Sequence, residues 1–388
     1  MTGAIMYISG GRWDGIPGTD RLLAEALAEA SPVLWVDQPV SIARHADVRR
    51  STLASIRGRT EMVQPGLRRL RLPALPGFSR PFIRRSTEAI SRCSLRALAG
   101  DHNGRIKGVI NASPLVVFPR EVHAPRVLHV TDDWLGSAPL LGLAPRHVER
   151  VLRENLALAD TVTAVSPGLA HKIQAFSGRQ VNLLPNGCRT PKALQHGKTM
   201  PVAALVGQLN ERLDARILEL LGESGLPLVV LGPRTEKEVA TRRALDRFLS
   251  RPTIQWRGPV GPDEVSHLLS TARVGLTPYA ESEFNVSSFP LKTLEYLSFG
   301  LPVVATDLPA ARWLGNPYVR ITGSPTEFVN GVRDALQIPP AHQQRLRIQS
   351  TARSHTWCVR AEQMLALIEG RQTTEPGTSS GPHQVGSR

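Results

Sequence analysis

The chain has 388 residues, of which 41% are hydrophobic and 21% charged, so it is long enough for two domains that each bury a core. Its three cysteines lie far apart and in no ligand spacing, which excludes a disulfide framework and a cysteine-bound metal and is typical of a reducing cytoplasm. The net charge is +14. No stretch approaches the ~20 consecutive apolar residues that cross a bilayer, and we expect neither a signal sequence nor a transmembrane segment.

The chain opens with the pattern of a β-α-β unit. Residues 4–9 are apolar and predict a buried strand, which leads into a glycine-rich loop at residues 10–18. Apolar residues at helical spacing follow Thr19 and Asp20, either of which suits a helix N-cap, and residues 33–37 predict a second strand. The glycines would let a ligand approach the backbone closely, although their spacing is not the dinucleotide fingerprint.

Most of the positive charge lies between Arg44 and Arg96, where thirteen arginines accompany three acidic residues. Apolar residues are interleaved with the arginines in residues 67–86, and aromatic residues for base stacking are sparse. This composition favours contact with a membrane surface or a lipid-linked acceptor, and we expect no nucleic acid partner. A solvated basic face is the open alternative. We therefore expect a cytoplasmic protein, either free or peripheral at the inner face of the membrane.

Three candidate catalytic residues follow one another near the end of a predicted strand at residues 126–130. His129 lies on this strand, and Asp132 and Asp133 come directly after it. The carboxyl ends of strands are the edge at which open α/β sheets bind ligands. Either carboxylate could take the proton of an acceptor hydroxyl, and crowding would raise the pKa of one of them. The structural alternatives are a helix cap for the aspartates and a packed core position for His129.

A change of composition divides the chain into two halves. The first half ends near a Pro-Asn-Gly sequence at residues 185–187, and residues 188–201 have the composition of a linker. Strand and helix patterns alternate on both sides of this linker. The alternation predicts an α/β protein with two doubly wound parallel sheets, that is, two Rossmann-like domains.

The second half begins with a buried strand at residues 202–206 and a loop. Gly207 would let phosphates or a base lie against the backbone of this loop, and Arg212 is a candidate phosphate partner. Arg234 follows the next predicted strand, at residues 228–232, and is a second candidate. These three residues predict an anion site at the carboxyl edge of the second sheet.

A short helix is predicted after residue 289. Ser287 and Ser288 provide a polar lead-in, Pro290 suits the first helical position, and Gly300 suits a left-handed C-terminal cap. The apolar, β-branched residues 303–305 then predict a buried parallel strand.

The start of this helix carries the chemistry. The amides of Leu291 and Lys292 have no intrahelical acceptor, so together with the helix dipole they form a site for an anion such as phosphate. Lys292 adds a positive charge, and Glu295 lies on the same helical face, where its carboxylate could bind a ribose diol. These groups could hold a nucleoside diphosphate. A surface ion pair between Lys292 and Glu295 is the alternative.

Residues 290–306 resemble the donor-nucleotide signature of GT-B glycosyltransferases of the family 1/4-like group. The resemblance implies that Glu295 holds the nucleotide ribose and that Ser287 and Ser288 belong to the donor site. Retaining members have a glutamate at the position of Ser287, so we lean toward inversion while leaving both outcomes open. The Ser-x-x-x-Lys pattern from Ser288 to Lys292 is similar to enzymes that make bacterial cell-surface polysaccharides, including teichuronic-acid-type glycosyltransferases.

Other parts of the chain extend this resemblance. The Asp-Asp-Trp sequence at residues 132–134 and the Pro-Asn-Gly sequence at residues 185–187 resemble elements of the same group. The resemblance implies four segments: an acceptor-binding domain at residues 1–190, a nucleotide-sugar domain at 200–352, a terminal helix at 354–371 that returns to the first domain, and a disordered tail at 372–388.

The resemblance also implies the activity. We expect transfer of a sugar from a nucleotide-diphosphate sugar to a glycan or lipid-linked acceptor, with Lys292, the helix amides and arginines stabilising the leaving diphosphate without a metal or cofactor. A sugar-nucleotide epimerase of the same fold is the first alternative. A non-enzymatic protein that binds nucleic acid or another anion is the second, and it would leave the donor signature without a purpose.

Overall fold

The computed structural model describes residues 3–15, 17–78, 80–101, 105–138, 142–191, 193–194, 199–289 and 291–371. The strands in these residues are β1 (Ala4–Ile8), β2 (Val33–Val36), β3 (Val40–Ser41), β4 (Glu61–Gln64), β5 (Leu67–Leu70), β6 (Pro73–Ala74), β7 (Ile106–Asn111), β8 (Arg126–Val130), β9 (Thr161–Ala164), β10 (Asn182–Leu183), β11 (Ala203–Val206), β12 (Leu228–Leu231), β13 (Ile254–Trp256), β14 (Val274–Thr277), β15 (Val303–Thr306) and β16 (Val319–Thr322). The α-helices are α1 (Thr19–Ala30), α2 (Ala46–Ile56), α3 (Pro81–Asp101), α4 (Trp134–Ser137), α5 (Pro145–Leu158), α6 (Pro167–Ser177), α7 (Ala215–Glu223), α8 (Val239–Leu249), α9 (Pro262–Thr271), α10 (Glu283–Ser287), α11 (Leu291–Ser298), α12 (Pro309–Leu314), α13 (Pro325–Gln337), α14 (His342–Ala352) and α15 (Trp357–Ile368).

The first sheet has the strand order β10-β9-β8-β7-β1-β2-β5-β4 and is parallel except for β4 at its edge. Its central strands β1 and β2 are buried throughout, which explains their continuous apolar sequences. The chain enters at β1, continues to the neighbouring β2, passes to the edge strand β4, returns through β5, and then crosses to β7 on the other side of β1. The strand order therefore reverses between β1 and β7, and open α/β sheets bind ligands at such a reversal, beyond the carboxyl ends of the strands.

The second sheet is parallel throughout, with the order β13-β12-β11-β14-β15-β16. Its strand order reverses between β11 and β14, as in doubly wound nucleotide-binding domains. The loop after β11 therefore occupies the same topological position as the loop after β1. The prediction of two doubly wound parallel sheets is confirmed.

Most predicted elements are present, and two details of helix capping differ. Gly300 has the predicted left-handed conformation, with a φ of 70°. Gly18 precedes the first residue of α1, so the prediction that Thr19 or Asp20 is the N-cap was wrong. The short helix α10 was not predicted, and Ser282 caps it by accepting a hydrogen bond from the Asn285 amide. Pro290 and the predicted disordered tail lie outside the described residues.

The last helix, α15, packs against α1 of the first domain. Thr356 caps it by accepting a hydrogen bond from the Val359 amide. The Trp357 amide donates to the Cys188 carbonyl, which ties the start of α15 to the segment that links the two sheets. Near its end, the Ile368 side chain occupies space beside Gly108, where a Cβ atom would lie 2.6 Å from Ile368 Cγ2. The chain therefore returns to the first sheet through specific packing.

The basic region at residues 44–96 folds into α2, α3 and the strands between them. Ten of its thirteen arginines are exposed, whereas Arg69 is buried and forms an ion pair with the buried Asp37. Three large apolar side chains of the same region, Leu53, Met62 and Phe82, are also exposed, and Phe82 is 86% exposed. We call these residues and the ten exposed arginines the basic face. None of the helices in the described residues combines the length and apolarity needed to cross a bilayer.

Candidate functional site in the interdomain cleft

A cleft of about 660 Å³ lies between the two domains. Residues that follow β1 and β11, at the two reversals of strand order, line the same space. Six of the predicted site residues line this cleft: Asp132, Gly207, Arg212, Ser288, Leu291 and Lys292. The other five, which are His129, Asp133, Arg234, Ser287 and Glu295, are not part of its lining.

Two glycines shape one wall of the cleft. Gly207 follows β11 with a φ of 150°, and Gly232 follows the neighbouring β12 with a φ of 137°. A Cβ atom at Gly232 would lie 1.8 Å from the Gly207 carbonyl oxygen, so no other residue fits there without a backbone shift. The absence of both side chains opens a surface of bare backbone to the cleft. The sequence indicated Gly207 but treated Gly232 only as the end of a strand.

We expect Gly232→Ala to lower the free energy of unfolding by more than about 1 kcal/mol, because alanine is strained at positive φ and its Cβ would strike the Gly207 carbonyl. Gly100→Ala is the matched control, since no atom lies within 4 Å of a Cβ built at this α3 position. Thermal or urea unfolding measures both changes. Equal stability of the two variants would contradict the close approach of the two loops.

Helix α11 begins at the cleft with Leu291 and Lys292. The first amides of a helix lack intrahelical acceptors, so this end presents donors and the positive end of the dipole. Lys292 Nζ lies 2.5 Å from Glu295 Oε2, and both side chains are partly exposed. The ion pair predicted from their spacing is therefore present, but it adds little to stability at this exposure. An anion in the cleft would meet Lys292 together with the helix amides.

Arg212 lines the cleft from the loop after β11. Its Nε donates to Asn285 Oδ1 at 3.0 Å, and its guanidinium lies over the rings of Tyr279 and Phe284. These contacts hold the positive charge of Arg212 in a fixed place at the cleft, apart from the glycine wall and the start of α11. Arg212 is therefore well placed for an anion that also meets Lys292.

Arg234 does not share this position, although the sequence suggested it as a second phosphate partner. Its guanidinium forms ion pairs of 2.6 Å with Glu236 and Asp246. Because both edges of the guanidinium are occupied by carboxylates, and the side chain is absent from the cleft lining, Arg234 stabilises the loop after β12 instead.

Asp132 lies on the opposite wall of the cleft, just after β8. Its side chain is exposed to the cleft, which residues of both domains line. Enclosure in the cleft is the main reason that its pKa is raised to about 6, and the negative charges of Asp20 and Asp133 act in the same direction, whereas Arg212 lowers the pKa. A carboxylate of this kind is mostly ionised at neutral pH and yet basic enough to accept a proton.

A second carboxylate, Asp20, lies near Asp132, and the sequence indicated it only as a helix cap. Asp20 accepts hydrogen bonds from the Gly10 amide at 2.8 Å, from Ser9 Oγ at 2.9 Å and from the Tyr7 hydroxyl at 3.2 Å. Burial raises its pKa to about 6, although these hydrogen bonds lower it. Asp20 therefore holds the glycine loop after β1, and its negative charge acts on Asp132 although Asp20 itself does not line the cleft.

Comparison with known proteins supports the sequence resemblance. Residues 202–337 match the family model described as glycosyl transferases group 1. TuaH of Bacillus subtilis (strain 168), whose description as a teichuronic acid biosynthesis glycosyltransferase is itself provisional, is 28% identical over 177 residues. The match covers 42% of this chain and 44% of TuaH, so the chain spans less than half the length of this curated relative.

Two solved structures align over nearly the whole chain. The sucrose-phosphate synthase of Thermosynechococcus elongatus has a TM-score of 0.68 at 17% identity and covers 95% of this chain and 98% of its own. Anabaena HepE in complex with UDP has a TM-score of 0.60 at 14% identity, with 95% and 100% covered. The chain has the GT-B fold. Its second domain matches the glycosyl transferases group 1 model over residues 202–337, so the resemblance to GT-B glycosyltransferases is confirmed, and the epimerase alternative is not favoured.

Within the GT-B fold, the roles suggested for Asp133 and His129 do not fit their positions. Asp133 is buried, caps α4 by accepting from the Gly136 amide, and forms a 2.6 Å ion pair with Lys172. His129 is buried in the sheet, where its Nδ1 lies 2.9 Å from Thr163 Oγ1, and burial lowers its pKa to about 4. Both structural alternatives from the sequence therefore describe these residues better than proton transfer in the cleft.

The segment at the position of the first glutamate of retaining GT-B enzymes joins the two domains. The buried Ser287 accepts a hydrogen bond from Ser166 Oγ of the first domain through its carbonyl oxygen. At the other end of α10, Glu283 Oε1 lies 2.8 Å from Lys172 Nζ, which also pairs with Asp133. Ser287 therefore holds α10 against the first domain rather than facing the cleft.

Glu295 lies one helical turn from the cleft lining, behind Lys292. Among the described residues, no group of three or more His, Cys, Asp or Glu side chains is arranged to hold a metal ion. Within the described part of the chain, the charged side chains that line the cleft are Arg212, Lys292 and Asp132.

Proposed function

We propose that the protein transfers a glycosyl group from a nucleotide-diphosphate sugar to an acceptor hydroxyl. One observation carries this proposal: a cleft between two doubly wound domains has Lys292, Arg212 and the start of α11 on one wall and Asp132 on the other. The first wall matches a diphosphate, and the second matches a hydroxyl that must lose a proton. The group 1 family match of the domain that carries the first wall supports the same reaction.

The donor would lie with its diphosphate between Lys292 and Arg212, against the bare backbone of Gly207 and Gly232. Its phosphates would displace Glu295 from Lys292, which leaves this carboxylate available for the ribose diol. The two cations and the helix amides would offset the charge of the leaving diphosphate, so we propose that no metal is needed. The complex of Anabaena HepE with UDP makes a UDP-sugar the first donor to test.

Asp132 would act as the base. The acceptor oxygen forms a bond to the anomeric carbon, the bond from that carbon to the diphosphate breaks, and the acceptor proton passes to the Asp132 carboxylate. The nucleoside diphosphate leaves with the bonding electron pair. This assignment suits inversion, and Ser287 instead of a glutamate agrees with it. The anomeric configuration of the product tests it directly.

We place the reaction in the synthesis of a cell-surface polysaccharide or glycolipid. TuaH, which shares 28% identity over 177 residues, is described as a teichuronic acid biosynthesis glycosyltransferase. The acceptor would bind the first domain, on the side of the cleft that carries Asp132 and Asp20. A glycan or a lipid-linked glycan fits this arrangement, because the basic face belongs to the same domain.

The basic face would bring the enzyme to an anionic membrane surface. We expect binding to vesicles that contain anionic lipid, since each basic residue near the surface adds about 1 kcal/mol, or about fivefold in affinity. Arg85→Glu and Phe82→Ser should each weaken the binding measured by vesicle sedimentation. Val239→Ser, which changes an exposed apolar residue of the other domain, is the control. Equal binding of all three variants would exclude this face as the contact.

The test of the donor site is thermal stabilisation by UDP, GDP, ADP and their sugars. Ligand at ~100 Kd should add about 2.7 kcal/mol to the free energy of unfolding. Arg212→Ala should abolish the shift, whereas Arg234→Ala should retain it, because only Arg212 lines the cleft. A shift that persists with a chelator supports the absence of a metal. No shift with any nucleotide would contradict the proposal, and product formed without an acceptor would favour an epimerase.

A further inference from the structure

A second cavity, of about 470 Å³, lies in the first domain between α3, α5 and the loop after β7. Its lining includes the apolar side chains of Phe78, Leu95, Val116, Phe118 and Val151. Cavities of a few hundred Å³ with apolar walls and a few polar groups are typical small-molecule sites. The residues of the interdomain cleft are not among its lining, so it is a separate site.

Buried hydrogen bonds hold one wall of the cavity in place, so the cavity is not a result of loose packing. Asn111 Nδ2 and Asn155 Nδ2 both donate to the Val116 carbonyl, at 2.9 and 3.0 Å. The Phe118 amide donates to Asn155 Oδ1 at 3.0 Å. These buried hydrogen bonds fix the loop after β7 as a wall, because each buried amide would be costly to leave without a partner.

One polar group in the cavity has no hydrogen-bond partner among the described residues. Ser91 lines the cavity and is 6% exposed. Its hydroxyl oxygen Oγ is buried, and none of the described residues forms a hydrogen bond with it. A buried hydroxyl without a partner is rare and points to a ligand or water. Ser91 lies on the same stripe of α3 as Thr87 and Leu95, so the hydroxyl lies among the apolar side chains that line the cavity.

The rim of the cavity is charged. Arg150 is neutralised by ion pairs with Glu88 and Glu154. Arg92, Arg120 and Glu121 are exposed and line the rim, and neither arginine has an ion-pair partner in the described part of the chain, so the rim keeps an excess of one positive charge at these three residues. An apolar interior beneath two unpaired arginines matches an amphiphile whose head group is an anion.

The surroundings of the cavity indicate the kind of amphiphile. Phe82, which is 86% exposed, and Arg84, on the cavity side, lie two residues apart on α3. The helix therefore presents one side to the cavity and the other to the basic face, so a lipid leaving a membrane would meet both. Pro39, which follows β2, also lines the cavity, and the carboxyl end of β2 lies at the edge of the sheet that faces the interdomain cleft.

We propose that this cavity binds the lipid phosphate of the acceptor, with the chain in the apolar interior and the phosphate at Arg92 and Arg120. This inference rests on the proposed function, because the cavity is assigned to the acceptor of that glycosyl transfer. It assigns the lipid part of the acceptor to α3 and α5, and the sugar part to the wall that carries Asp132.

The probe is decyl phosphate below its critical micelle concentration, measured by titration calorimetry. Decanol and inorganic phosphate separate the contributions of the chain and the phosphate, and both should bind at least tenfold more weakly. Arg92→Glu combined with Arg120→Glu should weaken decyl phosphate binding at least tenfold. Val117→Trp, at the partly exposed loop, should do so by filling the cavity. Arg96→Glu, on the exposed side of α3, is the matched control and should leave binding unchanged.

Two results would overturn the proposal. Equal binding of inorganic phosphate and decyl phosphate would mean that the cavity has no role. Equal losses in the Arg96→Glu and Arg92→Glu/Arg120→Glu variants would mean that the basic face as a whole attracts the anion. The UDP shift of each variant is recorded in the same samples, so a failure of the donor site is distinguished from a failure of this cavity.

Discussion

Replacement of Lys292 by alanine is expected to lower kcat/KM for the nucleotide sugar by about 10²–10³-fold, the effect of removing one preorganised charge partner of a leaving group. Lys292 Nζ is a positive charge at the start of α11. Its only ion pair in the described residues is with Glu295, one turn away. The charge that develops on the diphosphate in the transition state would lose this partner. Steady-state release of the nucleoside diphosphate measures the change.

The stability of this variant separates a functional from a structural role. Both side chains of the Lys292–Glu295 pair are partly exposed, so its removal should cost no more than about 0.5 kcal/mol. Lys237→Ala, at an exposed position of the same domain outside the cleft lining, controls for the loss of a lysine. A variant of Lys292 with unchanged kcat/KM would remove this residue from the donor site. A large loss of stability would mean that the ion pair is structural.

Glu295→Ala should behave differently from Lys292→Ala. A carboxylate that binds the ribose contacts the ground state and the transition state alike, so its loss should raise KM more than it lowers kcat. The comparison of the two variants tests whether the helix α11 binds the donor at both its phosphates and its ribose. An equal fall in kcat for both variants would place Glu295 nearer the reacting centre than the ribose.

The fold could be predicted from sequence because the information is local. Buried parallel strands require continuous apolar and β-branched residues, and β11, β12 and β15 have them. The start of α11 was also predictable, since the free amides of a helix and the position of Lys292 follow from chain order alone. Which charged residues face the cleft could not be predicted in this way, because their neighbours are distant in sequence.

Two pairs of residues show what could not be predicted from the sequence. Asp132 and Asp133 are adjacent, yet one meets the cleft and the other is buried against Lys172, which lies 39 residues further along the chain. Arg212 and Arg234 both follow strands of one sheet, yet the carboxylates of Glu236 and Asp246 hold only the second. In each pair the choice depends on a partner brought near by folding, and no spacing in the sequence reveals it.

Asp132→Asn is expected to lower kcat by about 10²–10⁴-fold, the usual contribution of a positioned general base. Asparagine keeps the size of the side chain and removes its basicity. Because the pKa of Asp132 is raised to about 6, the activity of the unchanged enzyme should fall as the pH drops below about 6, where the carboxyl takes up a proton. This acid limb should be absent from the residual activity of the variant. A pH profile of kcat/KM for both proteins measures it.

Two further variants make the assignment specific. Asp20 also has a pKa raised to about 6, so Asp20→Asn shows whether the acid limb belongs to Asp132 or to the pair. Asp133→Asn removes a buried partner of Lys172 and should lower the melting temperature while the acid limb stays in place. An acid limb that survives in Asp132→Asn would contradict the assignment of Asp132 as the base and attribute the limb to Asp20, whose charge acts on Asp132.

The stability of Asp132→Asn at different pH values provides an independent check that folding raises the pKa of Asp132. The folded state holds the proton of Asp132 more tightly than the unfolded chain, whose aspartate has the ordinary pKa of 3.8. The free energy of unfolding contributed by this group therefore falls as the pH rises from about 4 to about 6, and it stays low at neutral pH. Asparagine cannot ionise, so the variant should be more stable than the parent at pH 7 and gain less at pH 4. An inactive enzyme that is more stable at pH 7 would mark Asp132 as a residue kept for its chemistry at the expense of the fold.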